Sequence, residues 1–205
     1  MSAQSQTSAL SFEELLEMEE RSEVRHEYIG GRLYAMAGGT PNHSHVIINL
    51  SSSVHTSLRG RPCRGANDDQ KVRTSETATN WYYPDFLIMC PPHRYHPRDA
   101  NSLLNPRAIF EVLSPSTAAF DRTAKFDEYQ LISELTDYIL VSADQIRVEH
   151  FRRGEGGHWE FRHYTQMEQI LELENFEISV PLADIYDDVA LENQAVGPEE
   201  PETRF

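Results

Sequence analysis

The sequence predicts an α/β domain with a mixed central sheet flanked by helices, and three observations carry that reading. Apolar runs at 82–90, 108–113 and 137–141 have strand length and are rich in β-branched and aromatic residues. Two stretches with helical character, one from Pro41 to Gly60 and one from Asp121 to Gln130, alternate with such runs. Alternating patterns with glycine turns near both ends of the chain add antiparallel strands.

Each element has its own local reason. Residues 1–9 are rich in Ser, Gln and Thr and read as disordered. Ser11 and Glu14 form a capping box that opens a short acidic helix to about Arg21, with Phe12, Leu15, Leu16 and Glu19 along one stripe. Val24 to Met36 reads as a hairpin turning at Gly30-Gly31. Thr40 caps a long helix with Pro41 at its first position; Val46, Ile47, Leu50, Val54 and Leu58 mark its core stripe and Gly60 ends it. Cys63 to Thr74 is expected to be one core strand, and Tyr82 to Cys90 the next. Pro91 to Pro106 holds several prolines and is expected to be a loop, either a flap facing a ligand or a linker between strands. Ala108 to Leu113 is a buried strand stopped by Ser114-Pro115. Asp121 to Gln130 is a helix, and Asp137 to Val141 a buried strand. Gln145–Arg153 and His158–Tyr164 form a hairpin, Ile170–Ile178 adds strand-like alternation, and Val180 to Tyr186 closes the fold. Residues 191–205 form an acidic, Pro-containing tail expected to be disordered, so residues 10–190 are read as a single domain.

Composition narrows the function. No stretch has the length of a membrane span, and the N-terminus lacks a signal-peptide layout, so a cytoplasmic location is expected. Cys63 and Cys90 have no metal-site spacing, and Cys90 is read as a buried reduced thiol. The net charge is −15, which is unfavourable for binding phosphate backbones, but it is unevenly spread. Residues 59–125 carry ten Lys or Arg against seven Asp or Glu, whereas the rest of the chain carries eight against twenty-six. The only lysines are Lys71 and Lys125. In a chain that otherwise uses arginine, a lysine hints at a place that needs a compact, tunable ammonium.

Two acids interrupt apolar runs: Asp85 at the start of one strand and Glu111 in the middle of another. An unpaired buried carboxylate costs several kcal/mol, so a cation between the two strands is the economical explanation. A divalent metal with oxygen ligands suits it. Lys125 follows on the next helix, completing the inventory of a metal-dependent phosphodiesterase site. Lys71 is a rival for the lysine role. The alternative for Lys125 itself is a surface ion pair with Asp121, four residues earlier.

Pro84-Asp85, Glu111-Val112-Leu113 and Lys125 resemble the PD-(D/E)XK nuclease superfamily. Longer phrases are similar to its Uma-two family: Glu27-Tyr28-Ile29-Gly30-Gly31, His43, Tyr83-Pro84-Asp85, Glu111 through Thr117, Asp121, Lys125 to Tyr129 and Asp137 to Val141. The resemblance spans roughly residues 11 to 190 and implies a restriction-endonuclease-like fold. It implies that Asp85, Glu111 and the Val112 carbonyl hold Mg²⁺ or Mn²⁺, that Lys125 serves the reacting phosphate, and that DNA is the substrate. One departure stands out: Leu113 occupies the usual lysine position, and the resemblance implies that Lys125 supplies the lysine from the next helix. The resemblance also suggests Glu27 as an extra acid of the site; the other reading is an exposed strand glutamate paired with arginine. His43 has two readings as well, a contact to phosphate or a metal-held water, or a structural histidine near a helix start. His43 and His45 lie two residues apart and do not share a helix face, so no zinc site is expected.

The function expected from these residues is metal-dependent hydrolysis of DNA phosphodiesters. The alternative is an inactive nuclease fold that serves as a nucleic-acid-binding or scaffold module, favoured by Leu113 and by the acidic flanks. A metal hydrolase of small phosphoesters is weaker, since neither a Gly-rich phosphate loop nor a His-rich metal motif is present. No membrane partner is expected. A homodimer is a possible arrangement because duplex cleavage often pairs active sites, but no sequence feature specifies one.

Overall fold

The structure is a computed structural model that describes residues 11–36, 38–114 and 117–191. Helix α1 (Phe12–Arg21) starts with the expected capping box: the Glu14 amide donates to the Ser11 hydroxyl and the Ser11 amide to the Glu14 carboxylate. Strands β1 (His26–Ile29) and β2 (Arg32–Ala35) form a hairpin. Its turn needs Gly30 and Gly31, whose φ angles are 57° and 85°. Helix α2 (Pro41–Ser57) is capped by Thr40, whose side chain accepts from the His43 amide. Then come β3 (Arg64–Asn67), β4 (Lys71–Val72), β5 (Phe86–Met89), β6 (Tyr95–His96), β7 (Asp99–Leu103) and β8 (Pro106–Leu113). A helical segment follows in three pieces: α3 (Ala118–Phe120), a π-helical turn (Asp121–Lys125) and α4 (Phe126–Tyr129). Strands β9 (Asp137–Ser142), β10 (Val148–Arg153), β11 (Trp159–Tyr164), β12 (Ile170–Leu173) and β13 (Ile178–Pro181) precede the short helix α5 (Leu182–Ile185).

The protein is a mixed α/β structure built on a six-stranded sheet in the order β11-β10-β9-β8-β5-β3. Only β8 and β9 are parallel; the other neighbours run antiparallel. A parallel pair needs a long crossover, and here the α3–α4 segment supplies it. The pleat sends alternate residues of β8 to opposite faces. Phe110 and Val112 join Val46, Leu50 and Val54 of α2 in one core. Ile109 and Leu113 join Tyr129, Tyr138 and Leu140 in a second core on the other face. Glu111 shares the face of Ile109 and Leu113, so it points toward the α3–α4 segment.

Five sequence expectations change. The strand expected over Tyr82–Cys90 is shorter, Phe86–Met89, so Asp85 stands just ahead of it. The stretch from Cys63 to Thr74 is not one strand, because a turn at Asp68–Gln70 passes the chain from the main sheet to a small three-stranded one. The loop expected over Pro91–Pro106 holds β6 and β7, which form that small sheet with β4; its polar residues pair across strands where no apolar periodicity announces them. Ile170–Ile178 is not one strand: β12 ends at Leu173, and a turn through Glu177, whose φ is 54°, leads into β13 at Ile178. Cys90 is not a reduced thiol: it is bonded to Cys63, with 4.2 Å between their Cα atoms. The antiparallel register sets Arg64 against Met89, which brings the two cysteines opposite one another at the strand ends. The expectations for residues 1–9 and for the tail beyond Leu191 lie outside the described residues. Among the described residues, no helix is long and apolar enough to cross a membrane.

Candidate active site

Phe86 pairs with Phe110 in the antiparallel β5–β8 register, so Asp85, just before β5, stands beside Glu111. The Val112 amide donates to Asp85 Oδ2 at 2.6 Å. The π-helical turn then presents Asp121 and Lys125 to the same place, both buried. Lys125 Nζ lies 3.0 Å from Glu111 Oε1, 3.0 Å from Glu27 Oε1 and 3.7 Å from Asp121 Oδ1. The Tyr129 hydroxyl, buried below, donates to Glu111 Oε1 at 3.2 Å. A cleft of about 740 Å³ opens over this group, roofed by Tyr34 and Met36 of the β1–β2 hairpin and walled by Phe120 and His43.

Each residue named from the sequence has a definite place. Asp85, Glu111, Val112, Lys125, Glu27 and His43 all line this one cleft. Lys125 is no surface ion pair, since its side chain is only 6% exposed. Glu27 is not an exposed glutamate paired with arginine; it holds Lys125 and accepts from the Tyr83 amide. His43 Nε2 is bonded to the Val112 carbonyl at 2.9 Å and lies 3.8 Å from Asp85 Oδ2. Lys71 is elsewhere, pairing with Asp99 at 3.1 Å inside the small sheet. Two members of the group were missed from the sequence. In the sequence Asp121 stands as a family-like position and as a surface partner for Lys125, and Tyr129 as the end of a family-like phrase, but neither is given a role in the site. Their spacing of four residues on either side of Lys125 was the available signal.

The electrostatics are lopsided: four carboxylates crowd one ammonium. Burial pushes the Glu111 carboxyl well up, with Lys125 opposing. Burial likewise raises Asp85, against the pull of His43, and raises Asp121, against Lys125. Burial by itself would lower Lys125, but Glu111, Glu27 and Asp121 overcome it and hold its amine well above the ordinary range. Lys125 is therefore held as an ammonium, while burial makes Glu111, Asp85 and Asp121 harder to ionise than ordinary carboxyls.

Among the described residues, no group of three His, Cys, Asp or Glu side chains is arranged to hold a metal ion. Magnesium, however, takes one or two protein carboxylates and completes its shell with water and substrate oxygens. Asp85, Glu111 and the Val112 carbonyl are all hard oxygen donors, and the uncompensated negative charge fits a divalent cation.

A family model described as "Uma2: Putative restriction endonuclease" matches residues 12–183. The chain belongs to the Uma2 family. Nuclease-like function comes with that membership. Two relatives from Synechocystis sp. (strain ATCC 27184 / PCC 6803 / Kazusa) carry no described activity. The "Uncharacterized protein slr1290" is 37% identical over 86% of this chain and 91% of its own length. The "Uncharacterized protein sll1609" is 29% identical over 75% of this chain and 86% of its own. A crystal structure described as a "putative nuclease belonging to DUF820" from Anabaena variabilis ATCC 29413 superposes with a TM-score of 0.69. It covers 86% of this chain and 97% of that one at 17% identity, a likeness of fold.

Proposed function

We propose that residues 10–190 form a single cytoplasmic domain, and that it is a divalent-metal-dependent endonuclease hydrolysing DNA phosphodiester bonds in the cleft over Lys125. The observation that carries this reading is the buried ammonium set between Glu111 and Glu27, beside Asp85 just ahead of the neighbouring strand. Asp85, Glu111 and the Val112 carbonyl would hold Mg²⁺ or Mn²⁺. Such an ion supplies a lowered pKa to its water and offsets charge on the phosphate. Lys125, kept cationic by its acids, donates hydrogen bonds to developing negative charge and does not serve as the base. Glu27 anchors Lys125, Tyr129 orients Glu111, and His43 sets the Val112 carbonyl.

The second reading, a binding module without turnover, is favoured by one observation: Lys125 is fully engaged by carboxylates. Purified protein incubated with supercoiled plasmid and Mg²⁺ or Mn²⁺ separates the two. Nicking that Asp85→Ala, Glu111→Ala and Lys125→Ala abolish, and that Lys71→Ala leaves intact, supports the nuclease. Metal-stabilised protein that binds DNA and never cuts it supports the module.

A further inference from the structure

The main sheet ends at β11, and no backbone hydrogen bond reaches its outer edge among the described residues. Its sequence is Trp159-Glu160-Phe161-Arg162-His163-Tyr164, and Phe161 is 52% exposed. An open edge is a template for another strand. We propose that β11 pairs antiparallel with β11 of a second copy of this chain, Phe161 opposite Phe161 of the second copy, joining the two sheets into one.

Charge and pleat select that register. A two-fold axis perpendicular to the sheet keeps each side chain on its own face, so opposed residues differ by an even number of positions. With Phe161 opposite its own copy, each Glu160 faces Arg162 of the second copy, and each Trp159 faces His163 of the second copy. Sliding by one pleat in either direction opposes Glu160 to Glu160 or Arg162 to Arg162, and like charges directly opposed are destabilising. The rows inside the sheet also continue across the axis. Tyr138, Phe151 and Phe161 stand opposite one another on β9, β10 and β11, with ring centroids 5.0 Å apart for the last pair. On the other face Arg152 stands opposite Glu160 at 2.9 Å, and Arg162 of the second copy extends that alternation of sign. Glu160 and Arg162 keep 39% and 44% side-chain exposure beside their present partners, so both can reach outward. Strand β8, which carries Glu111, stands three strands inward, and both clefts stay open.

Charge exchange tests this without reference to nuclease activity. Sedimentation of the full chain is expected to show a dimer that dissociates on dilution. Glu160→Arg alone, or Arg162→Glu alone, places like charges across the axis and is expected to sediment as a monomer. Mixing these two variants pairs an all-positive edge with an all-negative one and is expected to restore a dimer. Hydrogen exchange covers the case in which a variant folds poorly: wild-type β11 amides should gain protection as protein concentration rises. A wild-type monomer at all concentrations overturns the proposal. So do single variants that remain dimers, or β11 exchange that ignores concentration.

Discussion

Lys125 is the residue on which the site turns. An ammonium that is 6% exposed with carboxylates at 3.0 Å on two sides cannot be removed cheaply. Breaking a buried pair by deleting one member costs about 3 to 5 kcal/mol. Lys125→Met is therefore expected to lower stability by about 3 kcal/mol in chemical denaturation as well as to abolish nicking. Asp121 behaves oppositely. Burial raises its pKa, against Lys125 at 3.7 Å and a hydrogen bond from Thr117. A raised folded pKa means that the folded protein holds the proton more tightly than the unfolded chain. The cost of ionising Asp121 is absent below its ordinary value of 3.8 and grows as pH rises through the folded one. In chelator, Asp121→Asn is expected to stabilise the protein near neutral pH, with the gain shrinking toward acid. Thermal melts across pH would read this, and a gain that grew on acidification would refute the assignment.

At the scale of elements, the site depends on where strands and turns stop. Asp85 sits just ahead of β5, so its carboxylate accepts the Val112 amide. The π-helical turn brings Asp121 and Lys125 onto one face, and such turns concentrate at functional sites. The small sheet has its own buried pair. Burial opposes ionisation of Asp99, but Ser102 and Lys71 hold its carboxyl below the ordinary 3.8. A depressed folded pKa contributes stability above the unfolded value that is lost as pH falls through the folded one. Wild type and Lys71→Met should accordingly differ in denaturant midpoint at neutral pH and converge well below about pH 4. The Cys63–Cys90 bond closes a 27-residue separation. Loop-closure entropy assigns such a link about 3.5 kcal/mol, so the double Cys→Ser variant should unfold at correspondingly lower denaturant.

At the scale of the molecule, charge limits how DNA is held. The arginines of residues 59–125 were expected to offset the −15 net charge near the site. Many are committed elsewhere: Arg61 to Glu177, Arg94 to Glu134, Arg98 to Glu13 and Arg122 to Glu149. Few basic groups remain for phosphates, so affinity for duplex DNA in Ca²⁺ should fall gently with salt. A log–log slope equivalent to about three phosphates or fewer is expected from fluorescence anisotropy; a slope several times steeper would mean that these ion pairs open on binding.

Glu111 and Asp85 were legible in the chain because a carboxylate inside an apolar run needs a physical reason wherever the fold puts it. The hairpin glycines, the Thr40 cap and the α2 stripe were legible because turn geometry and helical period act locally. Asp121, Tyr129, the partner of Glu27 and the Cys63–Cys90 bond were not. Each depends on which strands become neighbours, on their register, and on a turn that is wider than an α-helix. Those come from long-range packing, which no local pattern encodes. The sequence by itself determined which groups are too costly to bury alone; the tertiary structure decided which of them share one cleft, because only pairing across β5, β8 and the crossover supplies their partners.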